Sequence, residues 1–227
     1  QSIWNLEKKF TGWVDVDLTE QGKIEAEKAG NLIKSQNIKI EHYYSSFQLR
    51  ANHTMEIIKK ILYDNNKFVK AWLLNERYYG ALTGLNKIGI TKKIGEDKVY
   101  ELRRSWDKRP DPLSKDSPYH PQNIETYKKV PKEVIPDTES LKDTYDRVLK
   151  YYKEEVQNEL LKKNILITAH GNSIRALCKY LFQLDNEQIS ELEIPTGNPL
   201  IIQFDEKLNI INSKYLDRER AKSLLVY

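Results

Sequence analysis

Residues Asn164 to Tyr180 read N-I-L-I-T-A-H-G-N-S-I-R-A-L-C-K-Y. Ile165 to Ala169 form a short apolar run rich in β-branched side chains, the pattern of a buried strand. The run stops at His170-Gly171-Asn172-Ser173. Apolar residues then recur at helical spacing: Ile174, Leu177, Cys178 and Leu181. Asn172 and Ser173 are good N-caps. The stretch predicts a strand, a tight glycine turn and a helix start, with His170 at the strand's C-terminal end. In an open α/β sheet that is where ligands bind, and first-turn helix amides attract anions. His170 is therefore a candidate phosphate handler. The plainer reading is a buried turn histidine satisfied by backbone, and only other stretches can decide.

Upstream, Thr19 predicts the cap of a helix to about Ser35, with Ile24, Ala29, Leu32 and Ile33 on its core side. Ile40 to Ser45 reads as a strand ending in Ser45-Ser46. A helix follows from about Gln48 to Tyr63, with Leu49, Ile57, Ile58, Ile61 and Leu62 facing inward and Arg50 in its first turn. A strand, a small polar pair and a helix with an early Arg repeat the logic of the His170 region, although a surface salt bridge would also account for Arg50. Phe68 to Leu74 reads as a third strand. The irregular, glycine-punctuated block Asn75 to Lys87 follows, with Glu76 and Arg77 adjacent. They are either a plain ion pair or a proton-transfer carboxylate set among cations.

Ile90 to about Trp106 predicts one or two helices carrying Arg103-Arg104. Neighbouring guanidinium groups repel unless an anion lies between them, each has a carboxylate or both face solvent. Residues 107–136 contain six prolines and little periodicity, the mark of an excursion over a site or of a disordered insert. Asp137 or Thr138 starts the longest helix, to about Lys162, with a stripe of Leu141, Tyr145, Val148, Leu149, Tyr152, Val156 and Leu160. Asp185 caps a short helix to Leu192, and 195–199 is a turn. Leu200–Phe204 and Leu208–Tyr215 read as a hairpin, and 217–227 as a helical tail. This order predicts an α/β fold in one domain over 1–227. The sheet is expected to be mostly parallel, flanked by helices and edged by an antiparallel hairpin.

Composition narrows the function classes. The 227 residues are 39% hydrophobic and 31% charged, with net charge +4. No apolar run approaches membrane-spanning length, and no basic block interleaved with aromatics suggests nucleic acid. Cys178, the one cysteine, lies on the apolar face of its helix and reads as a structural thiol suited to a reducing compartment. Lys outnumbers Arg, 28 to 9, so a placed Arg is informative: its fork grips phosphate or carboxylate with two bonds. The three strand-end segments would converge on one rim and bring a His, a Glu and several Arg together. That set suits phosphoryl chemistry. Arg holds the phosphoryl oxygens, His is nucleophile or transition-state donor, and Glu moves a proton. His42, His53 and His120 carry no such context.

Seven blocks, in order along nearly the whole chain, resemble the cofactor-dependent phosphoglycerate mutases of the histidine phosphatase superfamily. They are S-I-W-N-x4-F-T-G-W (Ser2 to Trp13), Y-S-S-x3-R-A (Tyr44 to Ala51), L-N-E-R-Y-Y-G-A-L-T-G-L-N-K (Leu74 to Lys87), R-R (Arg103-Arg104), T-E-S-L (Thr138 to Leu141), A-H-G-N-S-I-R-A-L (Ala169 to Leu177) and I-P-T-G-N-P-L (Ile194 to Leu200). The resemblance implies interconversion of 3- and 2-phosphoglycerate through a phosphohistidine, primed by 2,3-bisphosphoglycerate and needing no metal. It implies Glu76 as general acid/base and His170 as transition-state donor. Arg50, with backbone near Gly171 and Asn172, would hold the transferring phosphoryl. Ser2, Asn5, Thr11 and Gly12 would line the pocket. Arg77, Tyr78, Tyr79, Lys87, Arg103 and Arg104 would hold the rest of the substrate. It further implies a cytoplasmic homodimer or homotetramer. The family's nucleophile lies in an Arg-His-Gly triplet just before the position of Ser2, at the end of a first strand, and both are expected to precede Gln1. Alternatives within the superfamily are a bisphosphoglycerate mutase or phosphatase. Without the triplet, a non-catalytic phosphate-binding protein remains.

Overall fold

The computed structural model of the chain describes residues 1–221. A short α1 (Ile3–Leu6) leads to α2 (Glu20–Lys34), β1 (His42–Ser45) and α3 (Leu49–Ile61). β2 (Val69–Lys70) precedes α4 (Lys87–Ile94) and α5 (Glu96–Arg104). After the proline-rich stretch come α6 (Leu141–Tyr151), one π-helical segment (Tyr152–Val156) and α7 (Gln157–Leu160). β3 (Ile165–Thr168), α8 (Gly171–Leu181), α9 (Asn186–Glu191), β4 (Leu200–Phe204) and β5 (Ile210–Tyr215) complete the order. β2, β1 and β3 form a parallel sheet in that order, with Tyr43 opposite Leu166 and Tyr44 opposite both Val69 and Ile167. β4 and β5 form an antiparallel sheet of their own rather than extending the parallel one.

Alternation along β3 sets the layers, because successive strand residues face opposite ways. Ile165 and Ile167 pack with Tyr44, Val148, Tyr152 and Ala176, between the sheet and the α6–α8 layer. Leu166 packs on the other face with Ala29, Ile33 and Ile58 from α2 and α3. All three parallel strands therefore deliver their following segments to the same rim.

Several elements depart from the sequence expectation for identifiable reasons. The third strand is two residues long, since Trp72–Leu74 turns as a 3-10 helix that sends Trp72 against Trp13 and Leu74 into the core. The buried stripe of α2 is Gly22, Ala26, Ala29, Gly30 and Ile33, while Ile24 is exposed. Small residues let α3 approach: a Cβ on Gly30 would lie 2.8 Å from Ile61 Cδ1. On α3 the buried face is Arg50, Ala51, Met55 and Ile58, and Leu49 is exposed. Of the one or two helices expected over 90–106, the structure forms two, the first already starting at Lys87, and they part at Gly95, whose φ of 88° favours glycine. The expected tail helix is a 3-10 turn, Arg218–Ala221, and its remainder lies outside the described residues.

The proline-rich stretch is packed, with three short 3-10 turns and no longer helix. Tyr127 and Val130 join Trp13 and Tyr78 in a buried aromatic cluster, and the Tyr127 hydroxyl donates to the Trp13 carbonyl at 2.5 Å. His120 is buried beside Tyr78 and hydrogen-bonded to Asp137 at 3.0 Å. Buried aromatics, rather than periodicity, order this segment.

The long helix starts at Leu141, three or four residues later than expected. Ser140 caps it in a reciprocal box with Asp143, while the Thr138 hydroxyl donates to the Pro110 carbonyl. Burial works to raise the Asp143 pKa, but hydrogen bonds from Arg109 and Ser140 outweigh it and hold it at about 2. A folded-state pKa below the ordinary Asp value means stability that is present at neutral pH and is lost as pH falls from roughly 5 towards the folded value. Urea midpoints between pH 5 and pH 2.5 should therefore fall more steeply for this chain than for Asp143→Asn. Parallel curves would show that the pair contributes nothing.

Candidate active site

The three strand ends do meet. Thr168 Oγ1 donates to Ser45 Oγ at 3.1 Å, and Ser46 Oγ lies 2.8 Å from His170 Nε2. The Glu76 amide donates to Gln48 Oε1 at 2.9 Å, which ties the segment after β2 to the one after β1. Asn172, in the first turn of α8, reaches Glu76 and Tyr79.

His170 is the N-cap of α8, with extended backbone, and its N–H donates to Ser173 Oγ at 3.0 Å. The cap thus falls two residues before Asn172 and three before Ser173, the expected caps, because Ser173 stabilises the start from inside the first turn. Burial first, then the charges of Arg50 and Arg147, push the His170 pKa well below its ordinary value. The imidazole is neutral at neutral pH.

Arg50 is buried, and its two terminal nitrogens donate to the carbonyls of Val14 and Gly12 at 3.1 and 3.0 Å. Burial lowers its pKa, and Glu76 foremost among nearby groups works against that. Gly12 is at φ 53°, and a Cβ there would come within 3.1 Å of Tyr78 Cδ2. Glycine therefore lets the loop turn and present its carbonyl to both Arg50 and Gln48.

Glu76 is held unequally. Its Oε1 accepts from the Arg77 amide at 2.7 Å, Asn172 Nδ2 at 2.9 Å and the Asn172 amide at 3.3 Å. Among the described residues nothing donates to Oε2. The Glu76 carbonyl accepts from Trp13 Nε1 at 2.6 Å and from Arg147 at 2.9 Å.

Ser2, Asn5, Thr11, Gly12, Arg50, Glu76, Tyr79, Lys87, His170 and Gly171 line one cleft of about 340 Å³. Thr11 Oγ1 is buried with no protein partner among the described residues, which leaves it available to a ligand oxygen. Lys87 has its pKa lowered, by burial first and then by Arg103. Arg103 makes no side-chain hydrogen bond or ion pair among the described residues, whereas Arg104 pairs with Glu193 and donates to the Leu192 carbonyl.

Two expected ligand contacts are placed elsewhere. Arg77 is fully buried, and its guanidinium donates to the carbonyls of Glu139, Arg103, Leu102 and Lys108. In this structure it supports the C-terminal end of α5, which carries Arg103 and Arg104. Tyr78 is also fully buried, its amide held by Glu139 Oε2 at 2.8 Å and its ring beside Trp13. In the pair Tyr78-Tyr79, only Tyr79 faces the cleft.

The sequence reading missed the frame behind Glu76. Glu139 and Arg147 form a buried two-bond ion pair, at 2.7 and 3.0 Å. Arg147 also donates to the carbonyls of Leu73 and Asn75. Thr-Glu-Ser-Leu was visible as a motif, but nothing local says that its Glu faces an Arg two helical turns on.

A family-level match to the histidine phosphatase superfamily (branch 1) covers residues 1–119 and 113–215. The chain belongs to this superfamily. Among curated relatives of this chain, the 2,3-bisphosphoglycerate-dependent phosphoglycerate mutase of Pelagibacter ubique is 65% identical, across 100% of this chain and 96% of its own length. The protein of the same name from Borreliella afzelii is 46% identical over 96% of this chain and 89% of its own. Solved structures agree on the fold. Bacillus stearothermophilus YhfR aligns with a TM-score of 0.67 at 19% identity, over 92% of this chain and 89% of that one. The alpha-ribazole phosphatase of Shigella flexneri gives 0.68 at 16%, over 100% and 95%.

Proposed function

We propose that the chain interconverts 3- and 2-phosphoglycerate through a phosphohistidine primed by 2,3-bisphosphoglycerate. One observation carries the reading. A carboxylate, Glu76, is fixed at a single oxygen and flanked by two cationic groups, Arg50 beside His170 and Lys87 beside Arg103. A substrate with two anionic ends and a hydroxyl needs that arrangement, and the full-length identity to named mutases supports the choice of substrate.

The substrate hydroxyl attacks phosphorus, the phosphorus–nitrogen bond to the histidine breaks, and Glu76 takes the hydroxyl proton. Bisphosphoglycerate then returns its other phosphoryl group to the histidine, and Glu76 gives the proton back to the oxygen released. Arg50, neutral His170 and the first-turn amides of α8 meet the charge on the transferring group, since phosphoryl transfer is chiefly positioning and charge stabilisation. Lys87, Arg103 and Tyr79 hold the far end, and Arg104 joins them on leaving Glu193. The reading requires a nucleophilic histidine, on a strand that would lie beside β3. Apolar walls from Ala29, Ile33, Ile58 and Leu166, and a β3 edge without a strand partner among the described residues, support that placement. The same reading implies a cytoplasmic homodimer or homotetramer with no metal, nucleic-acid or membrane partner.

Intact mass of the full-length protein under non-acidic conditions tests it. Incubation with 2,3-bisphosphoglycerate should add one phosphoryl group that 3-phosphoglycerate discharges. No adduct and no isomerisation would overturn the proposal. Faster hydrolysis of bisphosphoglycerate than isomerisation of 3-phosphoglycerate would transfer it to the phosphatase alternative.

A further inference from the structure

Arg175 lies on α8, one turn beyond Asn172, and is 4% exposed. One terminal nitrogen donates to Asn172 Oδ1 at 2.9 Å, and the other donates to the Ile189 carbonyl on α9. Both ends of the fork are therefore fixed. Its Nε is buried without a partner among the described residues. An apolar side chain here would avoid that unsatisfied donor and the burial of a charge, so packing alone does not explain an arginine. Burial first, then repulsion from Arg104, lowers its pKa to about 10, which leaves it charged at neutral pH.

We infer that Arg175 is a positioning residue for proton transfer: it sets the amide of Asn172, which in turn presents Oε2 of Glu76 to the substrate hydroxyl. An arginine only donates, so it accepts one orientation of the amide. With Oδ1 towards Arg175, Nδ2 donates to Glu76 Oε1 at 2.9 Å and to the Tyr79 hydroxyl at 3.0 Å. The flipped amide would set NH₂ against guanidinium and a carbonyl against a carboxylate, both repulsive. The Asn172 and Arg77 amides also converge on Oε1. With three donors on it, Oε1 has little capacity left for a proton, and Oε2 is the oxygen that exchanges one.

The consequence for turnover rests on the proposed mutase reading, but the amide geometry does not, and the test separates them. In the full-length protein, both Asn172 side-chain amide protons should be shifted, by nitrogen-edited NMR, from the positions of a free carboxamide, because Nδ2 donates to Glu76 and to Tyr79. Arg175→Met should collapse that signature. It should also lower kcat about tenfold, as expected for loss of one oriented hydrogen bond, with KM unchanged. On a Glu76→Gln background, Arg175→Met should leave the residual kcat unchanged, because the group it positions is gone. An unchanged amide signature overturns the inference whether or not the protein is a mutase. Independent losses in the double variant, or a rise in KM with kcat intact, overturn it as well. Should Arg175→Met not fold, Asn172→Leu on the same two backgrounds makes the kinetic measurement, and additive losses there overturn the inference equally.

Discussion

Glu76→Gln should lower kcat by about 10²- to 10⁴-fold, the range supplied by a positioned general acid/base, while KM stays within a few-fold of the parent. Gln keeps the volume of Glu, and the site decides how its amide lies. The Arg77 amide, Asn172 Nδ2 and the Asn172 amide all aim at the Oε1 position and need an acceptor there. The Gln carbonyl oxygen takes that place, and NH₂ occupies the position of Oε2. An amide nitrogen there donates but cannot take the hydroxyl proton. Binding survives because Arg50, Lys87 and Arg103 remain. Steady-state kinetics, with 3-phosphoglycerate titrated against a fixed priming level, would check this. A kcat within tenfold of the parent would remove Glu76 from proton transfer.

Glu139→Ala should destabilise the fold by about 3–5 kcal/mol, the loss typical when one partner of a buried ion pair is removed. Arg147 would be left buried and charged. It would still donate to the carbonyls of Leu73, Asn75 and Glu76, but no counter-charge would remain beside it. The Tyr78 amide would lose its acceptor too. For a chain of this size that corresponds to a fall in melting temperature of roughly 6 to 20 °C. Urea unfolding with an unchanged m-value would measure it. A loss below about 1 kcal/mol, the scale of an exposed pair, would show that the pair is not what holds the Leu73–Tyr78 backbone. Because that backbone carries Glu76, the variant should also turn over slowly at temperatures where it remains folded.

These two residues also mark the boundary between local and long-range information. The strand Ile165–Thr168, its histidine and the helix beyond were legible because a β-branched run, a glycine and a helical period are short-range signals. The convergence of Glu76, Arg50 and His170 followed from strand order alone, since parallel strands deliver their C-terminal ends to one side of a sheet. Residue type and position thereby determined the α/β class and most of the cleft. Tertiary structure decided the rest. It buried Arg77 under four carbonyls, placed Tyr78 among aromatics, and made the proline-rich segment a packed wall. It also set Arg147 and Arg175 behind the carboxylate and its asparagine. An arginine reads alike in sequence whether it grips substrate, solvent or backbone. Which it does depends on the acceptors that distant segments place within hydrogen-bonding reach, roughly 3 Å, and no local pattern encodes that distance.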